Sequence, residues 1–270
     1  MQRLAPYQTG LWLAEYINMR CQLCYVYQSD AQVATSTSST HTWRSRLHHK
    51  FNKGLLCTHC HRSVTWLPTP FNIDIAAGTI IGTSTVLPIQ AATYYDYPLR
   101  QAIRAFKHSE DMTKLPLLVH VLRQLPRPAG CHSGNSVILP MPTTASRLSR
   151  RGFDPVTILS AYLSRHWGIP VWRGVQRIDH TISQQGLSRA ERLTNLNDAF
   201  TLSEPPPVKR ILLFDDVATT GASLQALARS LLIDTATATP NSSNETRSTE
   251  YTSNLYYLSA YALAHGSASR

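Results

Sequence analysis

The sequence predicts an α/β fold: a mostly parallel sheet with helices on both faces, joined to a small cysteine-rich module. Three observations carry this. Short apolar runs such as VILP (137–140) and ILLF (211–214) alternate with stretches of helical periodicity, the pattern of strands buried on both faces by crossover helices. Two Cys-x-x-Cys pairs, CQLC and CTHC, lie near the start. The run ILLFDDVATTGAS passes from a greasy strand into two adjacent carboxylates and a small, hydroxyl-rich turn.

In chain order, residues 15–66 hold both cysteine pairs around a polar interlude, SDAQVATSTSSTHTWRSR, whose composition gives it little to pack. A second domain is expected over 88–264. IQAATYY reads as a strand, and Pro98 stands where a helix can start. In LRQAIRAFKH, Leu99, Ile103 and Phe106 share one stripe, with Arg100, Arg104 and Lys107 beside it. PRPAGCHSGNS (126–136) reads as a loop and VILP as a buried strand. TILSAYLSRHW (157–167) reads as an amphipathic helix, IPVWRGV (169–175) as a strand after a glycine turn, and ILLF as the next strand. SLQALARSLL predicts a helix with Leu224, Leu227, Ala228 and Leu231 inward. NLYYLSAYAL closes the sheet after a low-complexity insertion at about 234–253.

The 270 residues suffice for a sizeable core. The formal charge of +10 favours polyanionic partners such as nucleic acid or phosphorylated small molecules. It is uneven: residues 1–70 carry seven Lys/Arg against two acids, whereas 205–270 carry five of each. Glu15 interrupts the apolar run near the start, and no 18-residue apolar stretch follows. The expectation is a cytoplasmic protein without a membrane span.

Five cysteines are present: Cys21, Cys24, Cys57, Cys60 and Cys131. An odd count with paired C-x-x-C spacing argues against a disulfide framework. Two such knuckles can close four thiolates on one tetrahedral ion, so Cys21, Cys24, Cys57 and Cys60 are the expected ligands of a structural zinc. His59 and His61 are possible substitutes, and Cys131 has no partner in the pattern. Around this module, Arg44, Arg46, Lys50 and Lys53 are candidates for contact with nucleic acid, or simply a solvated basic stretch.

In an open parallel sheet, ligands bind beyond the carboxyl ends of the strands. Asp215 and Asp216 fall there, and VATTGAS leads into a helix start that offers free N–H groups to an anion. Thr219, Thr220 and Ser223 add hydroxyls, and Gly221 permits close backbone approach. A ribose 5-phosphate satisfies both halves, with its hydroxyls on the acids and its phosphate in the turn. The competing reading is a solvated acid pair before an ordinary capped helix.

These stretches together resemble the ComF/GntX family, which joins a zinc module to a type I phosphoribosyltransferase-like domain. The resemblance rests on CQLC, CTHC, YPLRQAIRAFKH, LPMPTTASRLSRRGFD, RIDHTISQQGLSRAERLTNLNDAF and ILLFDDVATTGAS, in that order. It implies that Asp215 and Asp216 contact ribose hydroxyls with Mg²⁺ nearby. It further implies that Thr219, Thr220, Gly221, Ala222 and Ser223 form the phosphate loop. The segment containing Arg147, Arg150 and Arg151, read as a loop, would meet pyrophosphate, for which guanidinium forks are suited. Gln184, Arg192 and Asn195 would lie on a hood over the site. The chain departs from the family at RGFDP, Arg151 to Pro155, where the pattern has R-G-F-N-Q: Asp154 adds a negative charge and Pro155 removes a donor. Asp179 stands where a basic residue is usual.

Members of the family include competence proteins thought to act on incoming single strands, so the resemblance implies an accessory of DNA uptake in contact with single-stranded DNA and uptake proteins. Two alternatives remain: an active phosphoribosyltransferase using phosphoribosyl pyrophosphate, and a sensor that keeps the pocket without turnover.

Overall fold

A computed structural model describes residues 20–27, 55–67, 69–74, 86–178, 199–237 and 256–266. Its chain divides into two compact units that interleave in sequence: Met1–Pro68, Ala92–Leu125 and Leu263–Arg270 form one, Thr69–Ala91 and Pro126–Ala262 the other.

The helices are α1 (Thr58–Ser63), α2 (Leu99–Ser109), α3 (Leu115–Leu122), α4 (Ala145–Arg151), α5 (Pro155–Trp167) and α6 (Ala222–Thr237). The strands are β1 (Phe71–Asp74), β2 (Val86–Tyr94), β3 (Ser136–Pro140), β4 (Val175–Arg177), β5 (Phe200–Leu202), β6 (Arg210–Ala218) and β7 (Tyr257–His265).

Five strands form one sheet in the order β1-β2-β7-β6-β3. β3 and β6 are parallel, with Val137 opposite Ile211 and Pro140 opposite Phe214. Tyr257 N donates to Lys209 O at 2.8 Å, joining the starts of β7 and β6, and Tyr95 N donates to His265 O at 2.6 Å, joining the ends of β2 and β7. Those pairs therefore also run in one direction. Only β1, antiparallel to β2, departs. Every residue of β3 is buried, as are Ile211 to Phe214 of β6. Because neighbours on a strand point to opposite faces, both faces of the sheet are covered.

In the second unit α5 packs on β3 and β6, and α6 packs on β6. α5 buries Leu159, Leu163 and Trp167; α6 buries Leu224, Leu227, Ala228 and Leu231, the stripe its periodicity predicts. In the first unit α2 buries Leu99, Ile103 and Phe106, as predicted, together with Ala102. All eight residues of α3 are buried. Each large apolar side chain so buried contributes about 1.5–3 kcal/mol.

Two expectations are corrected. IPVWRGV is not a strand: Val171 makes a single parallel bridge to Ile138, and the chain then leaves the sheet. The Trp172 ring folds back over Gly174, leaving no room for a Cβ there, and a ladder resumes at Val175 as the separate antiparallel pair β4–β5. The arginine-bearing segment is a helix rather than a loop. Thr144 opens α4 by accepting the Arg147 N–H at 3.3 Å, and Gly152 closes it at φ +71.

RGFDP also has a structural role. Asp154 is the N-cap of α5: its Oδ1 accepts the Val156 N–H at 3.1 Å and its Oδ2 accepts the Thr157 hydroxyl at 2.6 Å. Pro155 fills the first helical position, where no N–H is required. The departure at these two residues is explained by helix initiation.

Candidate functional site

The cysteine cluster lies within the first unit. Sγ atoms of Cys21, Cys24, Cys57 and Cys60 all lie within 4.8 Å of one another, and Cys24 and Cys57 are 3.9 Å apart. A tetrahedral ion with Zn–S bonds of about 2.3 Å needs S···S edges of about 3.8 Å, so the set has the size to hold one metal ion. Each pair is shaped by its own backbone. Tyr25 N donates to Cys21 O at 2.8 Å, with Tyr25 at φ +58, folding the chain back so that Cys21 N reaches Tyr27 O at 2.8 Å. Cys57 caps α1, accepting the Cys60 N–H at its sulfur at 3.5 Å.

Backbone N–H groups of Tyr27 and Val26 hold the Cys24 thiol down at about 6, while burial pushes Cys57 and Cys60 up. Gathering such thiols together without a cation is unfavourable, and a divalent ion relieves it. His59 is exposed beside the Tyr27 ring, and His61 packs on Trp66 at 4.9 Å between centroids. Neither belongs to the cluster. Cys131 is buried in the second unit, outside it. Arg44, Arg46, Lys50 and Lys53 lie outside the described residues.

In the second unit, β6 continues through both aspartates to Ala218, so their side chains leave on opposite faces. Asp215 is half-buried, and Asp216 is 3 % exposed. Both carboxylates brace the backbone: Asp215 Oδ1 accepts the Asp216 N–H at 2.8 Å, and Asp216 Oδ1 accepts the Val217 N–H at 2.9 Å. Thr219 and Thr220 are exposed in the turn, and Gly221 is buried at φ +73 between Ile73 and Ile89. Thr220 Oγ1 takes the Ala222 N–H at 3.4 Å, a long bond at the start of α6. Ala222 and Ser223 are half-buried.

A cavity of about 370 Å³ opens elsewhere in this unit, between the loop after β3, the starts of α4 and α5, and β4. It does not include the 219–223 turn. Arg177, at its wall, opens the stretch RIDHTISQQGLSRAERLTNLNDAF but was not singled out within it, since its spacing marks no role. The guanidinium lies over the cross-strand Phe200 ring at 5.4 Å, and its buried Nε has no hydrogen-bond partner among the described residues. Burial lowers the Arg177 pKa, the charge of Arg147 lowers it further, and Asp215 opposes both. Thus one predicted acid and one predicted arginine converge electrostatically on a residue that sequence reasoning passed over. Arg150 and Arg151 project from the same helix as Arg147. Gln184, Arg192 and Asn195, like Asp179, lie outside the described residues.

No family model matches the chain. Comparison with curated proteins finds 35% identity over 146 residues to competence protein F of Haemophilus influenzae, covering 51% of this chain and 63% of that protein. The DNA utilization protein YhgH of Escherichia coli K12 is 32% identical over 145 residues, covering 52% and 63%. YhgH of Salmonella typhimurium is 34% identical over 97 residues, covering 35% and 42%. The chain thus spans less than two thirds of the length of these relatives. Among the described residues no helix is long and apolar enough to cross a membrane.

Proposed function

Because this chain belongs to the ComF/GntX family, we propose that it is an accessory factor of DNA uptake, with a zinc module at 15–66 and a phosphoribosyltransferase-like domain at 88–264. That domain binds a phosphoribosyl ligand with Mg²⁺, and the protein contacts single-stranded DNA. The names of the relatives, competence protein F and DNA utilization protein, support the DNA role.

The observation that carries the ligand reading is the order of groups along β6 and its turn: Asp215 in the second half of the strand's run to Ala218, exposed Thr219 and Thr220, and a left-handed Gly221 opening a 16-residue helix. In this reading Asp215 meets the ribose hydroxyls, Asp216 supports it from the opposite face, and residues 219–223 take the 5-phosphate. Arg147, Arg150 and Arg151 meet the diphosphate, and Gln184, Arg192 and Asn195 form the hood. Mg²⁺, when bound with the diphosphate, supplies charge neutralisation. The four cysteines fit zinc in number, donor type and size.

Calorimetric titration with phosphoribosyl pyrophosphate and Mg²⁺ tests the reading. Wild type should bind and Asp215→Ala should bind at least tenfold more weakly; equal affinity would remove the assignment. Single-strand binding should weaken steeply with salt and survive Asp215→Ala.

An active transferase is the second reading, favoured by the intact D-D-x-x-T-T-G order. It requires displacement of diphosphate at the anomeric carbon, with arginines stabilising the leaving group. Pyrophosphate release that depends on an added acceptor would establish it, and binding without turnover would exclude it.

A further inference from the structure

The cavity beside Arg177 has a mixed lining. Pro140, Met141, Pro142 and Val175 give it an apolar wall, extended at the rim by Leu148, a large apolar side chain left 44% exposed. Its charged lining residues are Asp154, Arg173 and Arg177. Two guanidiniums against one carboxylate leave this lining net positive, and both Asp154 oxygens already accept bonds at the start of α5. Arg177 is already oriented, with one guanidinium face on Phe200 and a buried Nε–H that no described residue accepts. Arg177 also lines the cavity, and a guanidinium fork suits an acidic group there.

At about 370 Å³ the cavity falls in the size range of small-molecule sites. A bare inorganic anion would use the arginines and leave the wall idle; a neutral ring would leave Arg177 unsatisfied. We propose that this cavity binds a small ring compound bearing one acidic group, phosphate or carboxylate, with the acid on Arg177 and the ring against Met141 and Leu148. The site is separate from the 219–223 turn and adds a second ligand to the phosphoribosyl reading without depending on it.

The test uses the full chain and defined probes: phenyl phosphate, benzoate, inorganic phosphate and benzyl alcohol, titrated by calorimetry and by methyl NMR. Phenyl phosphate or benzoate should bind at least tenfold more tightly than both inorganic phosphate and benzyl alcohol, shifting the methyl signals of Met141, Leu148 and Val175. Arg177→Gln should weaken the acidic ring probe about tenfold, and Arg177→Lys, which keeps the charge but loses the fork, by less. Leu148→Ser, at an exposed position, should weaken it severalfold while leaving inorganic phosphate unchanged. Should Arg177→Gln fail to fold, the Lys and Ser variants and the methyl shifts still decide. Equal binding of inorganic phosphate, equal binding of benzyl alcohol, or shifts confined to other methyls would each overturn the proposal. Ribose 5-phosphate, titrated in parallel, reports on the turn separately: either probe can bind while the other fails.

Discussion

Replacing Gly221 by alanine tests how the turn before α6 is built, and Gly168 provides an internal standard. Both glycines have positive φ, +73 and +68, so alanine at either pays about 1–2 kcal/mol for the left-handed conformation. Both also gain the same unfolded-state entropy advantage, which cancels in the comparison. They differ in surroundings. A Cβ on Gly168 meets nothing within 4 Å, whereas one on Gly221 would sit 2.9 Å from Ile73 Cδ1 and 3.1 Å from Ile89 Cδ1. Each methyl must turn away, at about 0.5–1.5 kcal/mol for an off-rotamer side chain. Gly221→Ala should therefore destabilise by about 1–3 kcal/mol more than Gly168→Ala, read as the difference in urea midpoints at constant slope. Adding Ile73→Val, which deletes the nearer methyl, should recover about 1 kcal/mol in the double mutant. Equal midpoints for the two alanine variants, or no recovery, would refute the packing argument.

Other expectations follow from the same structure. Asp154→Ala should cost about 1 kcal/mol as a lost N-cap, with Asp154→Asn recovering most of it in thermal melts. His120 is buried on α3, and burial first, then His61 and Arg123, lower its pKa to about 4. Its unfolded form protonates nearer 6.5, so the unfolded state binds more protons between those values and stability falls as pH drops through that window. From pH 6.5 to 5 the loss attributable to His120 is about 2 kcal/mol; urea titrations of wild type and His120→Leu should diverge in pH slope by that amount. Metal analysis should return one zinc ion per chain, absent after Cys24→Ser, and chelation should lower the stability of the first unit.

Where an element has one apolar face, its sequence announced it: Leu99, Ile103 and Phe106 on α2, and Leu224, Leu227 and Leu231 on α6, are buried as their spacing predicts. α3 escaped notice because LPLLVHVL is buried all round and has no polar face to reveal a period. IPVWRGV misled for the opposite reason: its apolar content is that of a strand, but Trp172 folds onto Gly174 and ends the ladder. At the site, the four cysteines were legible because thiolate pairs at that spacing have few other uses. Asp215 and the turn were legible as a motif, yet the strand's alternation, which buries Asp216, depends on β6 running on to Ala218. Arg177 matters only through neighbours contributed by β5, α4 and β6, and no local pattern encodes such a meeting.

Helix α4 buries none of its seven residues and is held by a cap at each end. So short a helix has little cohesion of its own, and its opening needs only a fraction of the free energy that unravels the sheet. The amides of Leu148 and Gly152, which donate to Thr144 O and Leu148 O, should therefore swap deuterium quickly in the empty protein. Anions settling on Arg147, Arg150 or Arg151 would slow those two amides first, making this exposed turn of chain a natural gauge of occupancy.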